Sequence, residues 1–584
     1  MHLNLSQCGR RVAAIPFRFT SLVATMAAAL SLAVLPLLAQ ETPLQPQKAD
    51  PALKYVPGDA HIVFSINPGQ LLKKSGYETL ADLPGTKEAL KEIRQNSEIA
   101  AKLIEAPELL GIDFNRPIHV FLKVLPPGKE FGQPSVSGGL IATPLSAKKI
   151  QEGLRNVIKE AAGEAGLTVL KKMRVEEGWN ILDVEEAGGA VSLAFNDEVV
   201  ILVGTDPKIE GVPKADKLSE TARAAKNPLS KTEPAFVAYL KKNADAGGWM
   251  NLNSMLELAP DMKEEQLKKM RQMLGNLRMA GTVNFSSGSV RADLLYNTDA
   301  AWWKNMMKAG PKKTMLDLIP QRAVASGVYS FDMEASRKWM KEEYLPMLKN
   351  LGGAEGQQGF AFIELMVMGA TGLKLEEFLD IPKGEMMFTF VDLKKAGENG
   401  EPKPSLLFGM TVNDEAKLGK LINKLKQGEG EGVLKAMNDA GFDLLQQKGR
   451  FFLGSDNLIN AVKLGRMPGA VEGAQRGFYD KNDMALAVDF GIITRLAQDF
   501  DAPDEAVKIL QKFDRFEATA NMKPDHLDYG IELIFRNKEK NALRQIVDMI
   551  QEATGNGGAP RPGTKRILPP LPLGEPKRER FEKN

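Results

Sequence analysis

Cysteine is almost missing from this chain. Of 584 residues only Cys8 is a cysteine, and it lies ahead of an apolar segment near the N-terminus, where it cannot serve as the acylated cysteine of a lipoprotein. With that segment removed the chain has no thiol, so disulfides, thiolate nucleophiles and cysteine-ligated metals are excluded and the fold must stand on its apolar interior. Histidine is nearly as scarce: His61, His119 and His526 follow the segment, far apart and each inside a β-like run. No His-Glu-x-x-His or similar spacing occurs, so a metal site or a Ser-His-Asp relay has no sequence marker, and strand packing or exposure is the expected role of each histidine. Phosphate-loop and nucleophile-elbow motifs are absent too. The stretch Gly428-Glu429-Gly430-Glu431-Gly432 follows a Lys-rich helical pattern and carries two carboxylates, which suits a flexible turn better than a phosphate cradle. No catalytic, cofactor-binding or metal-ligating set is expected.

A large charge of one sign is also lacking. The formal net charge is +2. The first 39 residues contribute three arginines and no acid, and Ala553 to Asn584 carries seven Lys or Arg against three Glu, so the body between them is mildly acidic. Such a body matches phosphate backbones poorly, and nucleic acid is set aside as a partner.

What is present begins with an export pattern. Arg10, Arg11 and Arg18 precede an uncharged apolar run from Phe19 to Leu38 that ends at Ala39, followed by the polar Gln40-Glu41-Thr42-Pro43. This reads as a secretory signal peptide cleaved after about Ala39, with a periplasmic or secreted body. The run is also about as long as the ~20 residues that span a bilayer, so the alternative is an uncleaved anchor in the inner membrane.

Behind it the chain repeats itself. Pro57 to about Asn297 recurs, diverged but in order, between Pro320 and about Asn537. Ile118-His119-Val120-Phe121-Leu122 aligns with Met386-Met387-Phe388-Thr389-Phe390 and Thr143 with Thr411, both 268 residues apart. His61 and His119 then align with Val324 and Met387. Asn67, Asn251, Asp332 and Asp489 each end a β-like run ahead of a helical pattern, where a short polar side chain suits an N-cap better than acid-base work. The expected fold is α+β: two tandem copies of one unit, each an antiparallel sheet with helices packed on one face. The expected segments are a signal peptide (1–39), a polar linker (40–54), a first lobe (55–297), an inter-lobe connection (298–318) whose Trp302 and Trp303 pack rather than float, a second lobe (319–552) and a disordered basic Pro-rich tail (553–584). Phe360 to Met368, the most apolar run of the body, is too short to span a membrane and is expected in the second core.

Pro57-Gly58-Asp59-Ala60, then Asn67, the pair Leu71-Leu72 and the turn Gly111-Ile112-Asp113 follow one another in an order that resembles a domain-of-unknown-function family of exported bacterial envelope proteins. The family brings no activity with it. Many of its members are lipoproteins, whereas this chain lacks the lipid-bearing cysteine.

Three functions are consistent with these features. The first is a non-enzymatic cell-envelope protein acting as a binding or scaffolding module, with the basic tail touching an envelope component. The second is a periplasmic carrier of an apolar ligand lined by some of the 25 methionines. The third is a carboxylate-dependent hydrolase.

Overall fold

The structure is a computed structural model. It describes residues 50–77, 107–125, 135–186, 189–205, 214–233, 244–256, 264–300, 311–346, 353–396, 401–427, 429–465 and 469–555, with positions 91, 94, 236, 303, 308, 310 and 467. The export segment and residues 556–584 of the tail lie outside the described residues.

The strands in chain order are β1 (Ile62–Ile66), β2 (Ile118–Leu125), β3 (Ser135–Ala142), β4 (Arg174–Glu176), β5 (Trp179–Glu186), β6 (Gly189–Phe195), β7 (Val200–Thr205), β8 (Ala246–Asn251), β9 (Arg278–Ser286), β10 (Ser289–Asn297), β11 (Ala325–Ser330), β12 (Pro382–Ala396), β13 (Glu401–Val412), β14 (Phe442–Gln447), β15 (Arg450–Ser455), β16 (Met484–Asp489), β17 (Phe513–Met522) and β18 (His526–Phe535). They form one open antiparallel sheet in the order β4-β5-β6-β7-β3-β2-β1-β8-β9-β10-β18-β17-β16-β11-β12-β13-β15-β14. The expected pair of separate sheets is therefore a single sheet. The join is the β10–β18 ladder, running in register from Ser289↔Ile534 through Asp293↔Gly530 to Asn297↔His526.

Strand alternation explains why both faces are covered. Along β7, Ile201 and Val203 enter one core with Leu218 and Ala222 of the helix Ala215–Ala224, while Val200 and Leu202 enter another with Ile150 and Leu154 of the helix Ala147–Gly166. Neighbouring residues Phe451 and Phe452 of β15 divide in the same way. Phe452 meets Leu458, Ile459 and Val462 of the helix Asp456–Lys463, and Phe451 packs with Leu418 of the helix Glu415–Leu425. Helices confined to one face are thus corrected to helices on two. The central strands are covered by Leu543 and Val547 of the final helix, Ala542–Gly555, which packs with Leu71, Phe285 and Phe535. Arg544 of that helix donates to the Ser75 carbonyl at 3.2 Å, tying the last described helix to the N-terminal half.

Several local expectations change. Residues 51–54, expected in the polar linker, belong to a 3-10 turn, Pro51–Tyr55, with Ala52 and Leu53 buried in the first core. In the connection, Trp303 is buried, as are Met315 and Leu316. Gly428 lies outside the described residues, but Glu429 begins a helix, Glu429–Asp439, where the turn was expected; acidic residues favour a helix N-terminus. Phe360 is buried, whereas Phe362, Ile363, Leu365, Met366 and Met368, expected in the core, lie exposed on the helix Gly353–Thr371.

Candidate functional site

The strand-end Asn and Asp residues act as caps. Asn67 accepts from Gln70 N at 3.2 Å, Asn251 from Asn253 N at 3.1 Å, Asp332 from Glu334 N at 3.1 Å and Asp489 from Ile492 N at 3.1 Å. Each satisfies a helix amide that has no carbonyl partner within its helix.

Two histidines gain neighbours that their sequence positions conceal. Ser65 and His119 are opposite one another on β1 and β2, with Ser65 Oγ 2.6 Å from His119 Nδ1, and Asp50 Oδ2 lies 3.3 Å from Nε2. This is a Ser-His-Asp set, but it is sealed: Ser65 and His119 are 5% and 1% exposed. A hydroxyl under that cover meets no substrate, and Asp50 also accepts from Ala52 N, fixing the turn Pro51–Tyr55 to the sheet. Burial works to raise the Asp50 pKa, but the hydrogen bond and charge of His119, with the Ala52 amide and the Arg116 charge, together hold the carboxyl below its ordinary value. A similar anchor holds the turn Leu316–Leu318, where buried Glu385 accepts from Thr314 N at 2.7 Å, Thr314 Oγ1 at 2.7 Å and Met315 N at 2.8 Å. His526 sits between Asp525 at 2.8 Å and Asp528 at 3.4 Å. His61 Nδ1 accepts from Val124 N at 3.2 Å. Among the described residues no group of three His, Cys, Asp or Glu is placed to hold a metal ion, and no helix is long and apolar enough to cross a membrane.

The candidate site is a pocket of about 430 Å³ above the junction of β11, β16 and β17. Gln321, Arg322 and Ala323 form one rim, Gln475 and Tyr479 of the helix Gly473–Lys481 form the roof, and Ser326, Ala487, Asp489 and Arg515 line the floor. The Tyr479 hydroxyl and Ser326 Oγ are 2.5 Å apart. Burial pushes the Tyr479 phenol up, with Ser326 and the Arg515 charge pulling the other way. Arg515 Nε is ion-paired with Glu517 at 2.9 Å, its guanidinium lies 5.5 Å from the centre of the Phe478 ring and within reach of the Tyr479 hydroxyl, and Nη2 is buried with no acceptor in hydrogen-bond geometry. Beside it, burial also raises the Glu517 carboxyl above its ordinary range, against the pull of Arg515. An unmatched guanidinium nitrogen over a hollow floor is arranged to receive an acceptor from a ligand.

The corresponding stretch of the first half is filled. There β8 places Trp249 opposite Val63, and the indole packs on Phe236 with ring centroids 6.0 Å apart. In the second half β16 places Ala487 opposite Ser326. Arg278, opposite Asn251 on the next strand, is ion-paired with Glu233; Arg515, opposite Asp489, has no such carboxylate from the overlying helix. Glu233 stands four residues after Leu229, whose amide donates to Val56 O. Gln475 stands four residues after Val471, whose amide donates to Ile319 O. Gln475 turns its amide to the Gln321 carbonyl at 3.1 Å.

Sequence reasoning singled out Asp489 as a cap but missed Arg515, Tyr479 and Gln475. Aligning Trp249 with Ala487 and Glu233 with Gln475 offers the signal that could have found them. No family model, curated protein or solved structure matches the chain.

Proposed function

We propose that this chain is an exported, non-enzymatic envelope protein built from two copies of one unit, the second of which binds a small polar ligand through a carboxylate. Export rests on Arg10, Arg11, Arg18 and the apolar run from Phe19 to Leu38.

Duplication is supported by hydrogen bonds that recur at fixed separations. Leu229 N to Val56 O and Gly58 N to Asn227 O return as Val471 N to Ile319 O and Gln321 N to Gly469 O. Asn67 N to Asp245 O and Asn251 N to His61 O return as Ser330 N to Asp483 O and Asp489 N to Val324 O. The strand order supports it too: β10-β9-β8-β1-β2-β3-β7-β6 runs parallel to β18-β17-β16-β11-β12-β13-β15-β14, with β4 and β5 added in the first half. The join has the self-complementary form of a two-fold contact. Moving along the chain by the separation of Ser289 from His526 carries Asn297 onto Ile534, so the pairs Ser289↔Ile534 and Asn297↔His526 exchange places. Asp293 then faces its own counterpart, Gly530.

The ligand class comes from the arginine. In the first copy Arg278 meets the Glu233 carboxylate; in the second, Gln475 removes that acid and Ala487 removes the indole that fills the space beneath. A ligand carboxylate against Arg515 Nη2 supplies a second acceptor beside the Glu517 already paired with Nε, and its body lies over Ala487 under Tyr479. The observation that carries this reading is the open floor at Ala487 beside Arg515, with Gln475 and no acid above it. An apolar ligand would leave Nη2 unmatched, and Asp489, the one acid in the lining, is engaged as a helix cap, which leaves no free carboxylate pair for glycosidic or similar hydrolysis.

The test is thermal unfolding against a panel of small mono-, di- and tricarboxylic acids and their neutral amides, with wild type, Arg515→Met and Ala487→Trp. At least one acid is expected to raise the wild-type midpoint while its amide and both variants show no shift. Stabilisation by amides as much as acids, or stabilisation that survives Ala487→Trp, would overturn the proposal.

A further inference from the structure

The helix Gly353–Thr371 inverts the usual arrangement of a surface helix. A helix at a protein surface turns apolar residues inward and charged ones outward. Here the inward stripe is Phe360, Glu364 and Val367, spaced to fall on one face, with Phe360 buried and the other two half-buried. The only charged residue of the stretch from Phe360 to Thr371 is thus on the protein side. The outward arc carries Phe362 at 61%, Ile363 at 51%, Leu365 at 61%, Met366 at 59% and Met368 at 45% exposure. Phe378, on the next short helix, adds a further exposed ring.

Basic residues stand at the C-terminal end of the helix and on a neighbouring one. Lys374 follows the helix directly, and the Lys424 side chain lies beside Gly372 at its C-terminal end, where an added Cβ would sit 3.5 Å from it. Lys420 and Lys426 are exposed on and just past the neighbouring helix, Glu415–Leu425. Glu376 is the exposed acid closest in sequence. The short stem of apolar residues cannot cross a bilayer, but an uncharged arc of Phe, Ile, Leu and Met bordered by lysines has the composition of a helix that lies in a membrane interface.

We propose that the outer face of Gly353–Thr371 seats on an anionic lipid surface, its apolar arc entering the headgroup boundary while Lys374, Lys420, Lys424 and Lys426 meet the phosphates. The arc supplies the apolar contribution and the lysines the selectivity for negative lipid. This proposal is independent of the pocket.

The experiment is flotation of the full chain without its export segment on two kinds of vesicle, phosphatidylcholine alone and an equimolar mixture with phosphatidylglycerol. Wild type is expected to float with the anionic vesicles. Phe362→Ser/Leu365→Ser/Met366→Ser should lose that association, and Lys374→Gln/Lys424→Gln should weaken it by roughly tenfold or more. Because all variants keep the basic tail, any difference belongs to the helix, and because the substituted side chains are exposed, the variants should unfold at the wild-type temperature. Wild type that stays with neither vesicle, or a triple serine variant that floats as well as wild type, would overturn the proposal. So would light scattering that shows a dimer of wild type split by the serine substitutions, an outcome assigning the face to a second copy of the chain.

Discussion

Trp249→Ala tests the contrast between a filled first half and a hollow second half. Trp249 is 4% exposed, lies opposite Val63 and Ala280 on its neighbouring strands, and packs on Phe236 at a ring separation of 6.0 Å. Replacing a fully packed indole by a methyl group costs about 3–5 kcal/mol in a core that relaxes only in part. The aromatic contact with Phe236 contributes ~1 kcal/mol of that total. Arg278 and Glu233 remain, so the variant would carry in its first half the same empty floor that Ala487 provides in the second. The assay is urea unfolding followed by far-ultraviolet circular dichroism, which does not depend on the removed fluorophore. The expected result is a lower midpoint with an unchanged slope, equivalent to about 3–5 kcal/mol in the transition of the first half. A loss under about 1 kcal/mol would refute the reasoning, because Trp249 would then not be the packing element whose absence at Ala487 opens the pocket.

Two further predictions concern stability. Asp50 has a folded pKa below its unfolded value of 3.8, so it adds stability at neutral pH that is lost as the pH falls through the folded value. Asp50→Asn should lower stability at neutral pH and flatten the acid branch below about pH 4 in thermal melts, and an unaltered acid branch would contradict the role given to His119 and Asp50. At the sheet junction, a Cβ on Gly530 would stand 2.9 Å from Thr519 Oγ1 and 3.2 Å from Arg291 Nη2, with Asp293 Oδ1 at 3.5 Å. Gly530→Leu therefore crowds the ladder and should cost about 1–3 kcal/mol by denaturant unfolding, whereas a neutral outcome would show that β10 and β18 do not meet as described.

The mixed α+β character and the alternating strands were legible because periodicity is local. The union into one sheet was not. β10 and β18 show the same apolar-polar alternation as any half-wet strand, and nothing in Val290 to Tyr296 or Leu527 to Phe535 marks an edge that will pair with the other half. The Ser65, His119 and Asp50 cluster was hidden for another reason: His119 is 54 residues from Ser65 and 69 from Asp50, and the three meet only through the β1–β2 register and the docking of the turn Pro51–Tyr55 on the sheet. Burial also misled in one place. An apolar run such as Phe360 to Met368 reads as core by composition, and only its surroundings show that the arc from Phe362 to Met368 faces outward. The candidate site was half legible: Asp489 was read as a cap, but the contrast of Trp249 with Ala487 gains meaning only when the pairings Val63↔Trp249 and Ser326↔Ala487 are set side by side.

Native mass spectrometry of protein purified from its own host, wild type beside Ala487→Trp, decides whether the hollow floor holds a ligand. Wild type should retain a small acidic compound and release it on denaturation, and Ala487→Trp should carry no such mass. Wild type that is repeatedly empty, or a compound held equally by the variant with the filled floor, would contradict the proposed site.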